Sequence, residues 1–197
     1  MELGSAVPHL ILASASPRRR ELLQQARVAF TVVHSQIPEE SRPEETPAEY
    51  VLRVAQEKAR DVAGRNTGEW VLGTDTIVEI DGLVLGKPKD EMDAYRMLRL
   101  LSGRTHRVMT AFVLLNGDGK THTHQVVTSA VIFKPLSDEQ IRAYLATGEP
   151  FDKAGAYAVQ GRGATLVERV NGSYTNVVGL PIDEVLTALR SAGLFDN

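Results

Sequence analysis

Leu10-Ile11-Leu12-Ala13-Ser14-Ala15-Ser16-Pro17-Arg18-Arg19-Arg20-Glu21-Leu22-Leu23 is the stretch from which the rest of the chain is read. The apolar run Leu10-Ile11-Leu12 reads as a buried strand and the small residues after it as a tight turn. A helix follows, because Ser16 suits the N-cap and Pro17 the first helical position. Three arginines in that first turn face the positive end of the helix macrodipole, which costs roughly 0.3–1 kcal/mol for each charge. One reading is a solvated basic helix start. The other is an anion site, in which small residues at Ser14 and Ser16 admit a ligand to backbone N–H groups and Arg18 and Arg19 supply guanidinium forks.

The 197 residues suit one domain spanning 1–197, with two lobes and no independent linker. Hydrophobic residues make up 43% and charged residues 24%, an ordinary balance for a globular protein. No apolar run approaches the roughly 20 residues of a membrane span, and Met1-Glu2-Leu3-Gly4 lacks the basic, then apolar, pattern of a secretory signal. The absence of cysteine excludes disulfides and thiolate metal sites and suits the cytoplasm. A net charge of −3 argues against a general nucleic-acid binder, so the arginine cluster is local positive charge on a mildly acidic chain.

Outward from the first helix, residues 29–34 alternate as a strand and residues 36–45 form an acidic, proline-punctuated loop. Thr46-Pro47-Ala48-Glu49 is a capping box opening a helix with Val51, Val54, Ala55 and Val62 on its apolar stripe and Lys58 along it. Val71-Leu72-Gly73-Thr74-Asp75-Thr76-Ile77-Val78-Glu79-Ile80 is strand-like, and Asp81-Gly82 turns it back through Leu83-Val84-Leu85. Asp90 caps a helix carrying Ala94, Met97, Leu98 and Leu101. Strands over 107–115 and 125–133 pair as a hairpin, and Ser137-Asp138-Glu139-Gln140 is a second capping box. Residues 149–163 read as a long functional loop or an irregular strand, residues 166–170 and 174–178 as a hairpin about Asn171-Gly172, and Pro181 opens the last helix. Interleaved strands and helices without a repeat give an α/β fold with a mixed twisted sheet and flanking helices.

Familiar signatures are absent or misplaced. Gly119-Lys120-Thr121 imitates the end of a P-loop, but Leu114 stands where its first glycine belongs. His122 and His124 share a strand face with no third metal ligand in view. What remains is charge at the ends of apolar elements. Asp75 lies between apolar stretches that enter the core, where a carboxylate needs a cation or good hydrogen bonds, or else merely caps a turn. Lys87 follows an apolar strand and Lys153 lies among small residues, positions that suit either surface lysines or a site. Taken together, arginines at a helix start, lysines and a strand-end acid match the needs of nucleoside triphosphate hydrolysis: cations for the phosphates, and carboxylates to hold a divalent metal and orient a water. Without clustered His or Cys, an oxygen-ligated hard cation fits better than zinc.

These residues carry a resemblance. The segments Ala13-Ser14-Ala15-Ser16-Pro17-Arg18-Arg19, Gly73-Thr74-Asp75-Thr76, Lys87-Pro88, Leu101-Ser102-Gly103, Asp152-Lys153-Ala154-Gly155-Ala156-Tyr157, Gln160-Gly161, Asn171-Gly172-Ser173-Tyr174 and Val178-Gly179-Leu180-Pro181 resemble, in order and over nearly the whole chain, the Maf family of nucleotide pyrophosphatases. The resemblance implies an elongated, two-lobed fold like that of inosine triphosphate pyrophosphatases, with a nucleotide cleft. It also implies hydrolysis of a nucleoside triphosphate to the monophosphate and pyrophosphate, dependent on Mg²⁺, Mn²⁺ or Co²⁺, by a cytoplasmic homodimer that uses neither nucleic acid nor membrane. Asp75 matches the family's catalytic acid; Arg18 and Arg19 match its phosphate-binding arginines, and Ser14, Ser16 and Lys153 fall among the phosphate contacts. Glu39, Lys58 and Lys87 fall at positions tied to metal or phosphate, with Glu39 and Asp75 as the metal pair. Arg18, Thr76 and Gln160 match the branch acting on dTTP and UTP, a house-cleaning activity; the 7-methyl-GTP branch carries Trp, Gln and Glu there. A nucleotide sensor acting on septum formation is the non-enzymatic alternative. Thr74 and Ala158-Val159 depart from the family's commoner Ala and Gly-Ile.

Overall fold

The computed structural model describes residues 9–195; the expectation placed on residues 1–4 lies outside them. The elements in chain order are β1 (Leu10–Ala13), α1 (Pro17–Gln25), β2 (Thr31–Val32), α2 (Pro47–Ala63), β3 (Trp70–Ile80), β4 (Leu83–Leu85), α3 (Glu91–Leu101), β5 (Thr105–Leu115), β6 (Thr121–Phe133), α4 (Asp138–Leu145), β7 (Val167–Asn171), α5 (Tyr174–Val178) and α6 (Ile182–Ser191), with three short 3₁₀ segments between residues 149 and 165. Side chains start the helices where the pattern predicts. Thr46 Oγ1 accepts from the Glu49 N–H while the Glu49 carboxylate takes the Thr46 N–H, and Ser137 and Gln140 repeat the exchange. Asp90 accepts from the Asp93 N–H. Ser16 does not cap α1 with its side chain; its own N–H instead donates to Ser14 Oγ at 3.2 Å.

One mixed sheet runs in the order β2-β1-β3-β5-β6-β7, with β4 also paired to β3. β1 is parallel to β2 and β3, and the remaining pairs are antiparallel. The register leaves a gap that matters for function. β5 lines one edge of β3 from Val71 to Glu79. On the other edge, β1 pairs only as far as Gly73 and β4 begins only at Val78. Residues 74–77 therefore have no strand beside them on that side, and a cleft opens there.

Because successive strand residues point to opposite faces, β1 and β3 feed two cores at once. Ile11, Val71 and Ile77 pack with Val51, Ala55 and Ala59 of α2. Leu10, Leu12 and Leu72 pack on the other face with Leu23 of α1 and Leu189 of α6. Beyond the gap, Val78 and Ile80 join a third cluster with Leu98 of α3 and Tyr144 of α4. Gly73 sets how closely α2 approaches. A Cβ there would lie 2.3 Å from the Ala55 carbonyl oxygen and 2.6 Å from the Ala59 Cβ, so no side chain fits.

Three expectations are corrected. Residues 174–178 form α5 and not the second strand of a hairpin. Ser173 Oγ accepts from the Asn176 N–H at 3.2 Å, and the Asn176 side chain donates to Val108 O of β5 and Ser129 Oγ of β6. These buried tertiary bonds override the strand preference of a Thr- and Val-rich run. Of the two readings of residues 149–163 the loop holds, built as successive 3₁₀ turns. The strand expected over 29–34 shrinks to β2, and β6 starts at Thr121, earlier than its pattern indicates.

Replacing Gly73 by Ala forces α2 off β3 and is expected to cost about 3 kcal/mol of unfolding free energy, the upper part of the overpacking range, in urea denaturation. A second prediction concerns His106 of β5, which is 2% exposed, bonds Tyr157 Oη through Nε2 at 2.7 Å, and has no hydrogen-bond partner at Nδ1 among the described residues. Burial pushes its pKa down to about 4, with the nearby Glu79 carboxylate opposing. The ring is neutral when folded and takes a proton on unfolding below its ordinary value. Its contribution to stability is therefore complete above that value and is lost as pH falls from about 6.5 towards 4. Urea titrations across that window should show a His106→Phe variant losing less stability with acid than the parent, by on the order of 3 kcal/mol.

Candidate active site

The close approach at Gly73 has a chemical consequence two residues on. Asp75 lies on the same face of β3, and position 58 lies on the buried stripe of α2, so a lysine there meets the acid inside the protein. Lys58 Nζ is 2.8 Å from Asp75 Oδ1 and 2.7 Å from Glu39 Oε1. Lys58 is 8% exposed and Asp75 5%, so their pairing is poorly screened by solvent. Glu39 is half-exposed on the acidic loop. Burial acts to raise its pKa, but Lys58, with Lys87 and Arg19, outweighs that and holds the carboxyl below the ordinary value. The loop is fixed from α2. Tyr50 Oη donates to the Glu39 carbonyl at 3.1 Å, and Arg53 grips Glu45 at 2.6 and 2.8 Å while donating to Glu40 O at 2.9 Å.

Arg19 fills the gap in the β3 edge. Its Nη1 donates to Thr74 O at 3.3 Å and Ser14 Oγ at 3.0 Å, its Nη2 to Thr76 Oγ1 at 2.9 Å, and its Nε to Gly179 O at 2.9 Å. Four of the five N–H donors of a guanidinium are thus spent inside the protein. Burial lowers the Arg19 pKa, and the Asp75 and Glu39 charges counter it. The unfavourable position near a helix start is answered here by protein acceptors, which leave one N–H for a ligand. Thr76 is likewise occupied, 2.9 Å from Thr110 Oγ1.

A cleft of about 530 Å³ joins these groups to the rest of the expected set. Ser14, Ser16, Arg18, Lys87, Lys153 and Gln160 line it, together with Arg19, Glu39, Lys58, Asp75 and Thr76. The structure thus brings together every residue that the sequence pointed to. Lys87 and Gln160 are exposed, whereas Arg18 is half-buried. Lys153 Nζ reaches Glu149 O at 2.7 Å and Asp152 Oδ1 at 2.5 Å. His122 is not part of the cleft; it meets Ser191 Oγ at 3.1 Å and the Trp70 ring. Sequence reasoning missed Tyr144 and Glu149, which lie behind the cleft wall. The sole signal was a glutamate directly following Gly148, in a loop too polar to rank its members.

Among the described residues no group of three or more His, Asp or Glu is clustered as metal ligands. Glu39 and Asp75 nevertheless converge on one point, now taken by Lys58 Nζ. Two carboxylates fit a Mg²⁺-like cation, whose remaining ligands are ordinarily water and substrate phosphates.

Comparison with known proteins places the chain in a family. The family model described as Maf-like protein matches residues 9–192, and the chain belongs to that family. It is 53% identical over 184 residues to the dTTP/UTP pyrophosphatase of Geobacter sulfurreducens, covering 93% of this chain and 96% of that one. It is 47% identical over 192 residues to the dTTP/UTP pyrophosphatase of Hydrogenovibrio crunogenus, covering 95% and 98%. Among solved structures, a HAM1 protein from Coxiella burnetii matches with a TM-score of 0.50 at 13% identity, over 93% of this chain and 99% of that one, a likeness of fold.

Removing Lys58 leaves Asp75 buried without its cation. Lys58→Met is expected to lower unfolding free energy by about 3 kcal/mol, whereas adding Asp75→Asn to it restores much of the loss because an amide carries no charge to solvate. Denaturant titration of the two single variants and the double variant measures that coupling.

Proposed function

We propose that the protein hydrolyses nucleoside triphosphates to the monophosphate and pyrophosphate, acting on dTTP, UTP and modified pyrimidine triphosphates. The observation that carries this reading is the convergence of Asp75, Lys58 and Glu39 in a cleft that also holds Arg18, Lys87 and Lys153. Relatives about half identical over nearly the whole chain and named dTTP/UTP pyrophosphatase support the choice of substrate.

In this reading the triphosphate lies against Arg18, Lys87 and Lys153, whose charges favour the developing negative charge on the departing pyrophosphate. Lys58 holds Asp75 through Oδ1, and the other carboxylate oxygen orients a water and takes its proton as the water oxygen attacks the α-phosphorus. The bond from the α-phosphorus to the bridging oxygen breaks, and pyrophosphate leaves with the electron pair. Glu39 and Asp75 would hold the Mg²⁺, Mn²⁺ or Co²⁺ ion, which supplies charge neutralisation at the phosphates. Gln160 on the cleft rim both donates and accepts, as the imide edge of thymine or uracil requires. Thr76 acts at one remove, by holding the Arg19 fork. A cytoplasmic homodimer belongs to the same reading, as the family resemblance implies.

The test is pyrophosphate release from dTTP, UTP, CTP, 7-methyl-GTP and ITP with Mg²⁺ or Mn²⁺. Turnover is expected to concentrate on dTTP and UTP, and Asp75→Asn is expected to lower it by about 10²–10⁴-fold with the fold retained. Preference for 7-methyl-GTP would move the protein to the other branch. Tight binding with no release from any nucleotide would replace the enzyme by a sensor.

A further inference from the structure

The loop that carries Gln160 is made of 3₁₀ turns, and no strand ladder fixes it. Its backbone is held from behind by two side chains that do not line the cleft. Glu149 Oε1 accepts from Gly163 N at 3.0 Å and from Tyr144 Oη at 2.9 Å, and Glu149 Oε2 accepts from Arg162 N at 3.0 Å. The Tyr144 hydroxyl, having donated to Glu149, accepts from Ala158 N at 3.2 Å. Amides on both sides of Gln160 are therefore tied to one carboxylate and one phenol. The pair is itself anchored. Tyr144 is 4% exposed within the third core cluster, and the Glu149 backbone takes bonds from Lys153 Nζ at its carbonyl and gives one to Thr147 Oγ1.

The glycines of the loop fit this contact closely. At Gly161, whose φ is +63°, a Cβ would sit 2.9 Å from Glu149 Oε2; at Gly163 it would sit 2.2 Å from Ala158 O and 2.8 Å from Tyr144 Oη. No side chain can stand between the loop and its brace. The chemistry also explains the acid. Three donors converge on two oxygens, which a carboxylate accepts in full, whereas an amide must turn an NH₂ group towards another donor. Burial acts to raise the Glu149 pKa, but the N–H groups of Gly163 and Arg162, with Tyr144 and Lys153, together outweigh it and hold the carboxyl below its ordinary value.

We propose that Glu149 and Tyr144 are positioning residues for substrate selection: by fixing the backbone at 158, 162 and 163 they hold Gln160 where it discriminates between bases. This rests on the reading above that Gln160 faces the base.

The experiment uses the full chain and compares kcat and KM for dTTP and CTP in the parent, Glu149→Gln, Tyr144→Phe, Gln160→Ala and the Glu149→Gln/Gln160→Ala double variant. Glu149→Gln and Tyr144→Phe are expected to raise KM for dTTP and to reduce discrimination against CTP by about tenfold, with kcat for dTTP held within about threefold. The double variant should be no less selective than Gln160→Ala alone, since the brace acts through that residue. Amide hydrogen exchange should quicken about tenfold or more over 158–163 while that of β5 is unchanged. If Glu149→Gln does not fold, Tyr144→Phe carries the same test. Altered ranking in Gln160→Ala with parental ranking in both brace variants would overturn this proposal alone, as would an equal fall in kcat on both nucleotides. Parental ranking in Gln160→Ala would overturn the selector reading, and this proposal with it.

Discussion

The structure depends on what happens along four residues of one strand edge. β3 is paired along its length by β5, but between Gly73 and Val78 its other edge has neither β1 nor β4 beside it. Backbone groups in such a gap need partners if they are buried, and Arg19 provides one by donating to Thr74 O. The same guanidinium takes Gly179 O, 160 residues away in sequence. It thereby binds the start of α1, the middle of β3 and the end of α5 into the floor of one cleft. A lysine could not do this, because a single ammonium cannot present donors in the planar fork those acceptors demand.

Beside that floor stands a buried ion pair, which is not a device for stability. Desolvating Lys58 and Asp75 costs about as much as their attraction returns, and an apolar pair of the same volume commonly does as well or better. Their presence is therefore better explained by chemistry than by folding. The fold invests in them nonetheless. Gly73, Ala55 and Ala59 remove side-chain bulk so that α2 lies close to β3, and Arg53 and Tyr50 pin the acidic loop that brings Glu39 to the same ammonium. The Glu45 carboxyl in that clamp, hydrogen-bonded by Arg53, is held down to about 2; the loop's attachment thus survives mild acid.

How much of this was legible in the sequence follows from the range of each signal. Capping boxes at Thr46 and Ser137 and the apolar runs of β3 are local patterns, and the structure repeats them. Lys58 was readable as a site residue only through the family resemblance, the helix pattern giving no more than its place along α2. Asp75 was readable because an acid between apolar strand residues must be reconciled with burial. Residues 174–178 misread as strand because β-branched residues signal strand locally, while the bonds that make a helix of them run from Asn176 to Val108 of β5 and Ser129 of β6. The internal partners of Arg19 and Thr76 were likewise invisible, being carbonyls and hydroxyls with no residue-type signature. Glu149 was hidden for a related reason: its partners are mostly backbone N–H groups, which every residue but proline possesses.

The cleft is in consequence built to two standards. The end that holds Lys58 and Asp75 rests on a helix and a strand, joined directly by that ion pair. The end that holds Gln160 rests on turns. Ala156 holds a left-handed backbone at φ 59° without being glycine, a strain that persists only where surroundings over-determine it. Here Tyr157, fixed through His106, and the brace behind Gln160 do so. Turns held by side chains can be re-aimed by changing a few residues, whereas the strand and helix cannot. On the proposed function, an architecture of this kind lets selectivity among bases diverge while the charged centre stays as it is.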